Sequence, residues 1–230
     1  MTESSRRSPA EWMVPAGLLV LSVIPILGGA MRVSELSTGA VITEENARFF
    51  HSPVPVLVHI VGSTVYLVLG ALQFAPALRR RRWHRISGRI VLPMGLASAL
   101  SALWMTVFYV IPPPAGPALA VMRLVVGVAM TAALITAFLA IRRGDVGTHR
   151  AWMIRAYAIG MGAGTQVLTV APYAIITGRA PDTGMHAVLM GAGWAINLVI
   201  AEIAIRRGAS RPRPAAANPP VGASAVRPIR

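Results

Sequence analysis

The sequence predicts an all-α protein, a six-span transmembrane helix bundle with a four-helix core. The mean hydropathy is +0.61, and 13% of the residues are charged, about half the usual share in soluble domains. The hydrophobic residues fall in long blocks separated by short charged loops, and a bilayer-spanning helix needs roughly 20 such residues. Six blocks have this length, at about 12–33, 54–78, 86–111, 118–141, 152–176 and 185–205.

The arginines predict the orientation of these spans. Seventeen arginines lie in residues 1–11, in the 79–89 and 142–150 loops and in the tail 206–230, whereas the opposite loops contain only Arg48 and Arg179. By the positive-inside rule, we expect both termini to be cytoplasmic, and we expect the membrane to be a bacterial inner membrane. The net charge of +14 then indicates orientation and attraction to anionic lipids. Nucleic acid is not an expected partner, because the basic loops lack interleaved aromatic residues.

The first span has an alternative interpretation as a cleaved signal peptide. Arg6 and Arg7 would form its basic region, and Gly28-Gly29-Ala30 would be the small-residue cleavage site. The apolar stretch is longer than the usual 7–15 residues of such a segment. The loop charges already fit six spans, so we retain the first as a membrane helix.

The segments outside the spans are polar. In the loop from about 34 to 52, Thr43 is a candidate helix cap ahead of Phe49 and Phe50, which predicts a short interfacial helix. A solvated connector is the alternative. Residues 206–230 contain Arg, Pro, Ala and Ser without periodicity, which predicts a disordered cytoplasmic tail.

Small and polar side chains form stripes on three spans, and such stripes mark packed faces inside a membrane bundle. They predict that spans two, five and six line the interior. The stripes contain His59, Ser63, Tyr66, Gly70, Gln73 and Ala77; Arg155, Gly162, Gln166, Thr169 and Tyr173; and His186, Met190, Gly193 and Asn197.

The basic loops suggest an internal duplication. The run Arg79–Arg82 leads into His84-Arg85, and Arg142-Arg143 leads into His149-Arg150. Spans two–three and four–five are then candidate parallel repeats, in which His84 and His149 occupy equivalent positions. Chance similarity between apolar helices is the alternative.

Ionisable residues inside spans are costly and are therefore functional candidates. They form two levels, with His59 and Arg123 at the outer level and Arg32 nearer that surface. Glu202 at the inner level is expected to pair with Arg155 or with Arg206.

Histidines at matched depth on neighbouring helices are candidate ligands of a b-type haem. The four candidates are His59, His84, His149 and His186. Candidate contacts to haem propionates or lipid phosphates are Arg85, Arg89, Arg123, Arg150 and Arg155. The alternative is that the inner histidines bind lipid phosphates or cap their own helices while the arginines extend to the interface.

The sequence contains no motif for disulfide, metal, hydrolase or transferase chemistry. There is no cysteine, which excludes disulfides, iron–sulfur clusters and covalently attached haem. No metal site is expected, because no helix face has metal-ligand spacing. We find no nucleophile–base motif and no phosphate-binding glycine loop, so no hydrolase or transferase activity is predicted.

Three functions remain open. The first is a redox-linked membrane protein with a haem or quinone in the central helices. The second is a non-enzymatic accessory, assembly or lipid-binding protein, with a membrane-protein partner or a second copy of the chain as candidate partner. The third is a small-solute transporter, which is weakened because no inverted repeat or clearly broken helix is visible in the sequence.

Three stretches resemble a bacterial family of predicted multi-pass membrane proteins that is catalogued as a domain of unknown function. They are HIVGSTVYLVLGALQF, RRRRWHRISGR and RRGDVGTHRAWMIRAYA, within about residues 56–175. The resemblance implies a membrane protein whose matching positions are His59, His84-Arg85, Gly88-Arg89 and His149-Arg150. It implies no activity. The histidine layout is also loosely similar to four-helix b-type cytochromes, an analogy at the level of fold only.

Overall fold

The computed structural model describes residues 10–79, 82–111 and 115–209. These residues form helices and no strands, which confirms the all-α prediction. Most of the predicted cytoplasmic N-terminus and basic tail lies outside the described residues. The helices are α1 (Ala10–Thr38), α2 (Ala47–His51), α3 (Pro53–Gln73), α4 (Pro76–Arg79), α5 (Arg82–Phe108), α6 (Gly116–Arg142), α7 (Val146–Gly160), α8 (Gly162–Thr177) and α9 (Thr183–Ala209).

The helices confirm a multi-span bundle with one change to the predicted spans. By length and composition, α1, α3, α5, α6 and α9 are each able to cross a membrane. The fifth span is not the continuous helix that we expected, because it consists of α7 and α8 with a bend of 41° between them. Counted as one span, this pair makes the sixth membrane-crossing unit among the described residues.

The bend is located at Met161, and two glycines that follow it allow close helix contacts. A Cβ atom added to Gly162 would lie 2.2 Å from Nε1 of Trp194 on α9, and one on Gly164 would lie 2.3 Å from the carbonyl oxygen of Leu21 on α1. Side chains at these positions would therefore push α8 away from its two neighbours. Gly160 and Gly164 have the four-residue spacing of a close-packing seam in a membrane helix, but they lie on different helices, α7 and α8.

A hydrophobic core occupies the half of the bundle nearer the arginine-rich loops. Its buried residues come from α3, α5, α6 and α7 and include Tyr66, Val91, Leu134 and Tyr157. These are the helices of spans two to five, so the predicted four-helix core is present. We call this end of the bundle the arginine-rich end, and the opposite end, which carries α2, the α2 end.

The packing order of the helices explains why the two ends differ. α3 packs against α1 and α5, α5 against α6, α6 against α9, α9 against α8 and α8 against α1. These contacts form a closed ring. α7 packs against α3, α6 and α9 and fills the centre at the arginine-rich end. Because α8 bends away from the line of α7 and joins the ring, the centre of the α2 end is left open.

A short helix is present in the loop that follows α1, but it begins later than predicted. α2 starts at Ala47, and its N-cap residue is Asn46, not Thr43. The side chain of Asn46 accepts a hydrogen bond from the backbone N–H of Thr43 over 2.7 Å. Residues 43–46 therefore form a turn that precedes the helix, and Thr43 begins that turn instead of capping α2.

Candidate functional site: an arginine-lined cavity

A cavity of about 550 Å³ fills the centre of the ring at the α2 end. Every helix of the ring contributes to its lining, together with α2 and the end of α7. The lining runs from Val56 to Leu67 on α3 and from Ala120 to Met130 on α6, which at about 1.5 Å per residue gives a depth of roughly 15 Å. The cavity thus extends through about half of a hydrocarbon core that is about 30 Å thick.

Three arginines from three helices line this cavity, namely Arg32 of α1, Arg48 of α2 and Arg123 of α6. Arg32 forms an ion pair with Glu35, one turn further along α1. Among the described residues, Arg48 and Arg123 form no ion pair. Partly buried charges are usually compensated by a partner, so the cavity has an excess of positive charge.

Phe49 holds two of these arginines together. The Cζ atoms of Arg32 and Arg48 lie 4.3 and 4.5 Å from the centre of its ring, within the range of cation–π contacts. Partial burial and the positive charge of Arg32 lower the pKa of the Arg48 guanidinium from its usual value. An anion between these side chains would relieve this repulsion.

His59 lies in the wall of the cavity, on α3. Its Nδ1 donates a hydrogen bond to the carbonyl oxygen of Ser98 on α5 over 2.9 Å. A carbonyl oxygen can only accept, so Nδ1 carries the proton, and Nε2 is the acceptor when the ring is neutral. The bond fixes the orientation of the imidazole between two helices of the ring.

The inner end of the cavity is apolar. We call this surface the floor, and it consists of Met130, Ile159, Gly160, Ala163 and Trp194. These residues surround the bend between α7 and α8, so the cavity ends where the fifth span changes direction.

Two polar side chains in the deeper part of the cavity already have partners within the protein. The amide Nε2 of Gln166 donates to the carbonyl oxygen of Met190 over 3.1 Å, and the hydroxyl of Ser63 donates to the carbonyl oxygen of Ile60 over 3.2 Å. The deep part of the cavity therefore offers a ligand the apolar side chains of the floor and, on α3, the hydroxyl of Thr64.

Of the nine predicted site residues, the cavity contains His59 and Arg123. His84, Arg85 and Arg89 lie in the first turns of α5, at the arginine-rich end, where both arginines are exposed. His186 is half-buried in the first turn of α9, at the α2 end.

The remaining predicted residues lie in α7. His149 is half-buried and donates from Nδ1 to the carbonyl oxygen of Ala137 over 2.9 Å, which ties α7 to α6. Arg150 is exposed. Arg155 binds Glu202 of α9 with two hydrogen bonds, Nε to Oε1 at 2.6 Å and Nη2 to Oε2 at 3.0 Å. Arg155, one of the two partners expected for Glu202, thus binds it and connects α7 to α9.

This arrangement gives no support to a haem between two histidines. Only one of the four candidate histidines lines the cavity. Within the described part of the chain, no group of three His, Cys, Asp or Glu side chains is placed to hold a metal ion.

Arg48 was not predicted from the sequence as a site residue, and Arg32 was expected only near the surface. A signal for Arg48 was present, because it is one of two arginines in loops otherwise free of them and it directly precedes Phe49. An arginine beside an aromatic residue in a predicted interfacial helix is a reasonable candidate for a site at the membrane surface.

The fold and the cavity define a class of protein, a helical multi-pass membrane protein with an arginine-lined cavity in one half of its bundle. Residues 56–205 match the family described as "Predicted membrane protein (DUF2306)". The match covers more than half of the chain, so the chain belongs to this family, and the resemblance found in the sequence is confirmed. No curated protein and no solved structure matches the chain.

The matched segment and the cavity do not coincide completely. His59, Arg123 and the floor residues lie inside residues 56–205, whereas Arg32 and Arg48 precede them. The charged rim of the cavity is therefore built partly by the first span and α2, which lie outside the family match.

Proposed function

We propose that this protein is a membrane-embedded binding protein for an anionic ligand, and that the cavity at the α2 end is its binding site. The observation that supports this proposal best is the convergence of three arginines on one cavity, of which only Arg32 has an ion-pair partner within the part of the chain that the structure describes. Arginine is well suited to bind carboxylate or phosphate oxygens, because its planar guanidinium donates several hydrogen bonds in a fixed geometry.

The proposal includes an orientation. The loops at the arginine-rich end carry most of the positive charge, so we place that end and both termini on the cytoplasmic side of a bacterial inner membrane. The α2 end then faces outward, and the ligand enters from the outer leaflet or the outer aqueous side. Exposed Arg85, Arg89 and Arg150 are proposed contacts to anionic lipids of the inner leaflet.

This function corresponds to the lipid-binding alternative of the sequence analysis. A haem- or quinone-based redox function has less support, because its candidate histidines do not converge on the cavity. Bis-histidine haem ligation requires two histidines at one site, whereas arginines alone are sufficient to bind an anion.

A pair of ligands that differ only in the head group tests the proposal. Purified protein in an uncharged detergent is heated with octyl phosphate or with octyl glucoside, and the unfolding midpoint is measured. Both molecules enter the micelle, but only the phosphate is an anion. We expect octyl phosphate to raise the midpoint and octyl glucoside to have no effect, because only a ligand that binds the folded state stabilises it.

Three variants complete this test. Arg48→Gln and Arg123→Gln should reduce the stabilisation by octyl phosphate, whereas Arg179→Gln should not. Arg179 is an exposed arginine at the same end of the bundle and does not line the cavity, so it controls for a general loss of positive charge. Equal stabilisation in the wild type and all three variants would refute the proposed site.

A small-solute transporter is the second candidate, and the bend in the fifth span favours it. Broken helices beside a central cavity are a common feature of transporters, and the bend at Met161 adjoins the floor. This function predicts influx of labelled phosphate or acetate into proteoliposomes above that of protein-free liposomes, reduced by Arg123→Gln. Fluxes equal to those of protein-free liposomes would remove this candidate.

A further inference from the structure

We infer that the anionic ligand carries an apolar chain, and that this chain lies along the cavity with its far end at the floor. The inference rests on the proposed function, because the same arginines hold the anionic head group. It adds a ligand class, which is a single-chain amphiphile with a carboxylate or phosphate head.

The lining changes character with depth. Arg32, Arg48 and Arg123 all lie within about 10 Å of the α2 end, judged from their positions along α1, α2 and α6. Below them, the floor presents the side chains of Met130, Ile159, Ala163 and Trp194 and no charged group. A small hydrophilic anion would contact the arginines but would leave the apolar half of the cavity without a complementary partner.

The depth of the cavity matches the arrangement of a lipid in the same leaflet. An outward-facing α2 end places the arginines near the head groups and the floor near the middle of the membrane. A ligand with its head at the arginines and its chain directed to the floor therefore keeps each part at the depth it has in the bilayer. Entry from the leaflet would not require the charged group to cross the hydrocarbon core, where charges are costly.

The start of α8 is a second region that attracts negative charge, and it would draw an anionic head group towards the floor. The N-terminal end of a helix carries a positive partial charge of about half an elementary charge, and α8 begins near the floor. However, the carbonyl oxygen of Met161 already accepts hydrogen bonds from the N–H groups of Gly164 and Thr165, over 3.0 and 3.3 Å. Arg48 and Arg123, whose full charges have no ion-pair partner among the described residues, are therefore the stronger attraction for an anion at the outer end.

Photoreactive ligands locate the two ends of the chain directly. Two dodecyl phosphates are compared, one with a diazirine beside the phosphate and one with a diazirine at the far end of the chain. Each is irradiated with the protein in an uncharged detergent, and the modified residues are identified by mass spectrometry. A dodecyl glucoside with the same terminal diazirine shows the labelling that results from the micelle alone.

We expect the near-head probe to label residues beside the arginines, such as Phe49, and the terminal probe to label the floor, at Ile159, Ala163 or Trp194. Both patterns should be lost in Arg123→Gln, while the glucoside labels only lipid-facing side chains. Terminal labelling confined to lipid-facing residues such as Val125 and Val128, with near-head labelling intact, would overturn the chain placement and leave the anion site standing. If neither phosphate gives arginine-dependent labelling, the proposed function itself fails.

A variant that fills the floor provides a second test. Ala163 lines the cavity, whereas Ala132 is exposed on α6 outside it, so Ala163→Leu and Ala132→Leu add the same side chain at two sites. We expect Ala163→Leu to weaken dodecyl phosphate binding about tenfold and to leave butyl phosphate binding unchanged, with no effect of Ala132→Leu. Equal binding of dodecyl phosphate to both variants, or tighter binding of short phosphates than of long ones, would contradict the inference.

Discussion

The side chain of Asn197 donates a hydrogen bond from Nδ2 to the carbonyl oxygen of Ala158 over 3.1 Å. In a continuous helix that carbonyl would accept from the N–H of Gly162, at the point where the fifth span bends. The Oδ1 of the same side chain accepts from the hydroxyl of Thr165 over 2.8 Å. Asn197 of α9 thus hydrogen-bonds both a carbonyl oxygen in the last turn of α7 and a hydroxyl in the first turn of α8. The bend beside the cavity is therefore stabilised by a residue of another span.

Replacing Asn197 should therefore destabilise the bundle. Asn197→Ala removes two interhelical hydrogen bonds and leaves the Ala158 carbonyl without its partner, so we expect a loss of roughly 1–2 kcal/mol. Thr165→Val removes only one of these bonds and should cost less. The free energy of unfolding in detergent, measured by denaturant titration, tests both. Equal stability of Asn197→Ala and the wild type would show that the bridge does not hold the bend.

Close packing of α8 on α1 predicts a large effect of a single methyl group. In Gly164→Ala the new Cβ would lie 2.3 Å from the carbonyl oxygen of Leu21, whereas no atom lies within 4 Å of a Cβ at Gly17. We expect Gly164→Ala to cost roughly 1–3 kcal/mol, as overpacking usually does. Gly17→Ala is the matched control and should be neutral or slightly stabilising. The same unfolding measurement compares them, and equal effects would contradict the close approach.

Asp145 predicts a dependence of stability on pH at the start of α7. Its carboxylate accepts a hydrogen bond from the N–H of Thr148 over 2.9 Å, and hydrogen bonding from Thr148 lowers the pKa of this carboxyl below its usual value of 3.8. The folded state therefore favours the charged form. This contribution is present above pH 3.8 and is lost as the pH falls through the lowered pKa.

The variant Asp145→Asn isolates that contribution. Asparagine caps helices about as well as aspartate but does not titrate. We expect the stability difference between wild type and Asp145→Asn to change below pH 4 and to be constant above pH 5, the range being set by the shift below about 3.8. A constant stability difference between the two proteins over the whole pH range would show that the pKa of Asp145 does not change on folding.

The proposed orientation has a direct genetic test. Alkaline phosphatase is active only outside the cytoplasm, so a fusion after Ala115 should be active and a fusion after Arg82 inactive. The reverse pattern would place the arginine-rich end outside and would contradict the positive-inside assignment.

Particular residues show how far the sequence predicts this structure. The hydrophobic blocks predicted the membrane-crossing helices because each block is long enough to span a bilayer. The polar stripe of the second span predicted that Tyr66 and Gly70 lie in the interior, and both are buried. Glu202 was expected to pair with Arg155, at the same level of the bundle, or with Arg206, and it binds Arg155. These features depend on the periodicity of residues along a helix and on their position along a span, and both can be read from a single sequence.

The bend at Met161 was not predictable in the same way. Glycines are frequent in membrane helices, so Gly160-Met161-Gly162 resembles an ordinary packing seam, and the partner that stabilises the bend, Asn197, lies in another helix. The cavity follows from that bend. His59 and Arg123 were recognised as outer-level polar residues, but their grouping with Arg48 depends on how three helices are arranged around the open centre.

The dissociation constant of octyl phosphate tests the central claim most directly. It is measured by calorimetry in an uncharged detergent for the wild type, Arg48→Gln, Arg123→Gln and Arg179→Gln. A hydrogen bond to a charged group contributes about 1.5–3 kcal/mol, so losing one corresponds to a weakening of about tenfold or more. We predict that weakening for Arg48→Gln and Arg123→Gln and none for Arg179→Gln. The same dissociation constant in all four proteins, or no binding in any of them, would contradict the assignment of the cavity as an anion site.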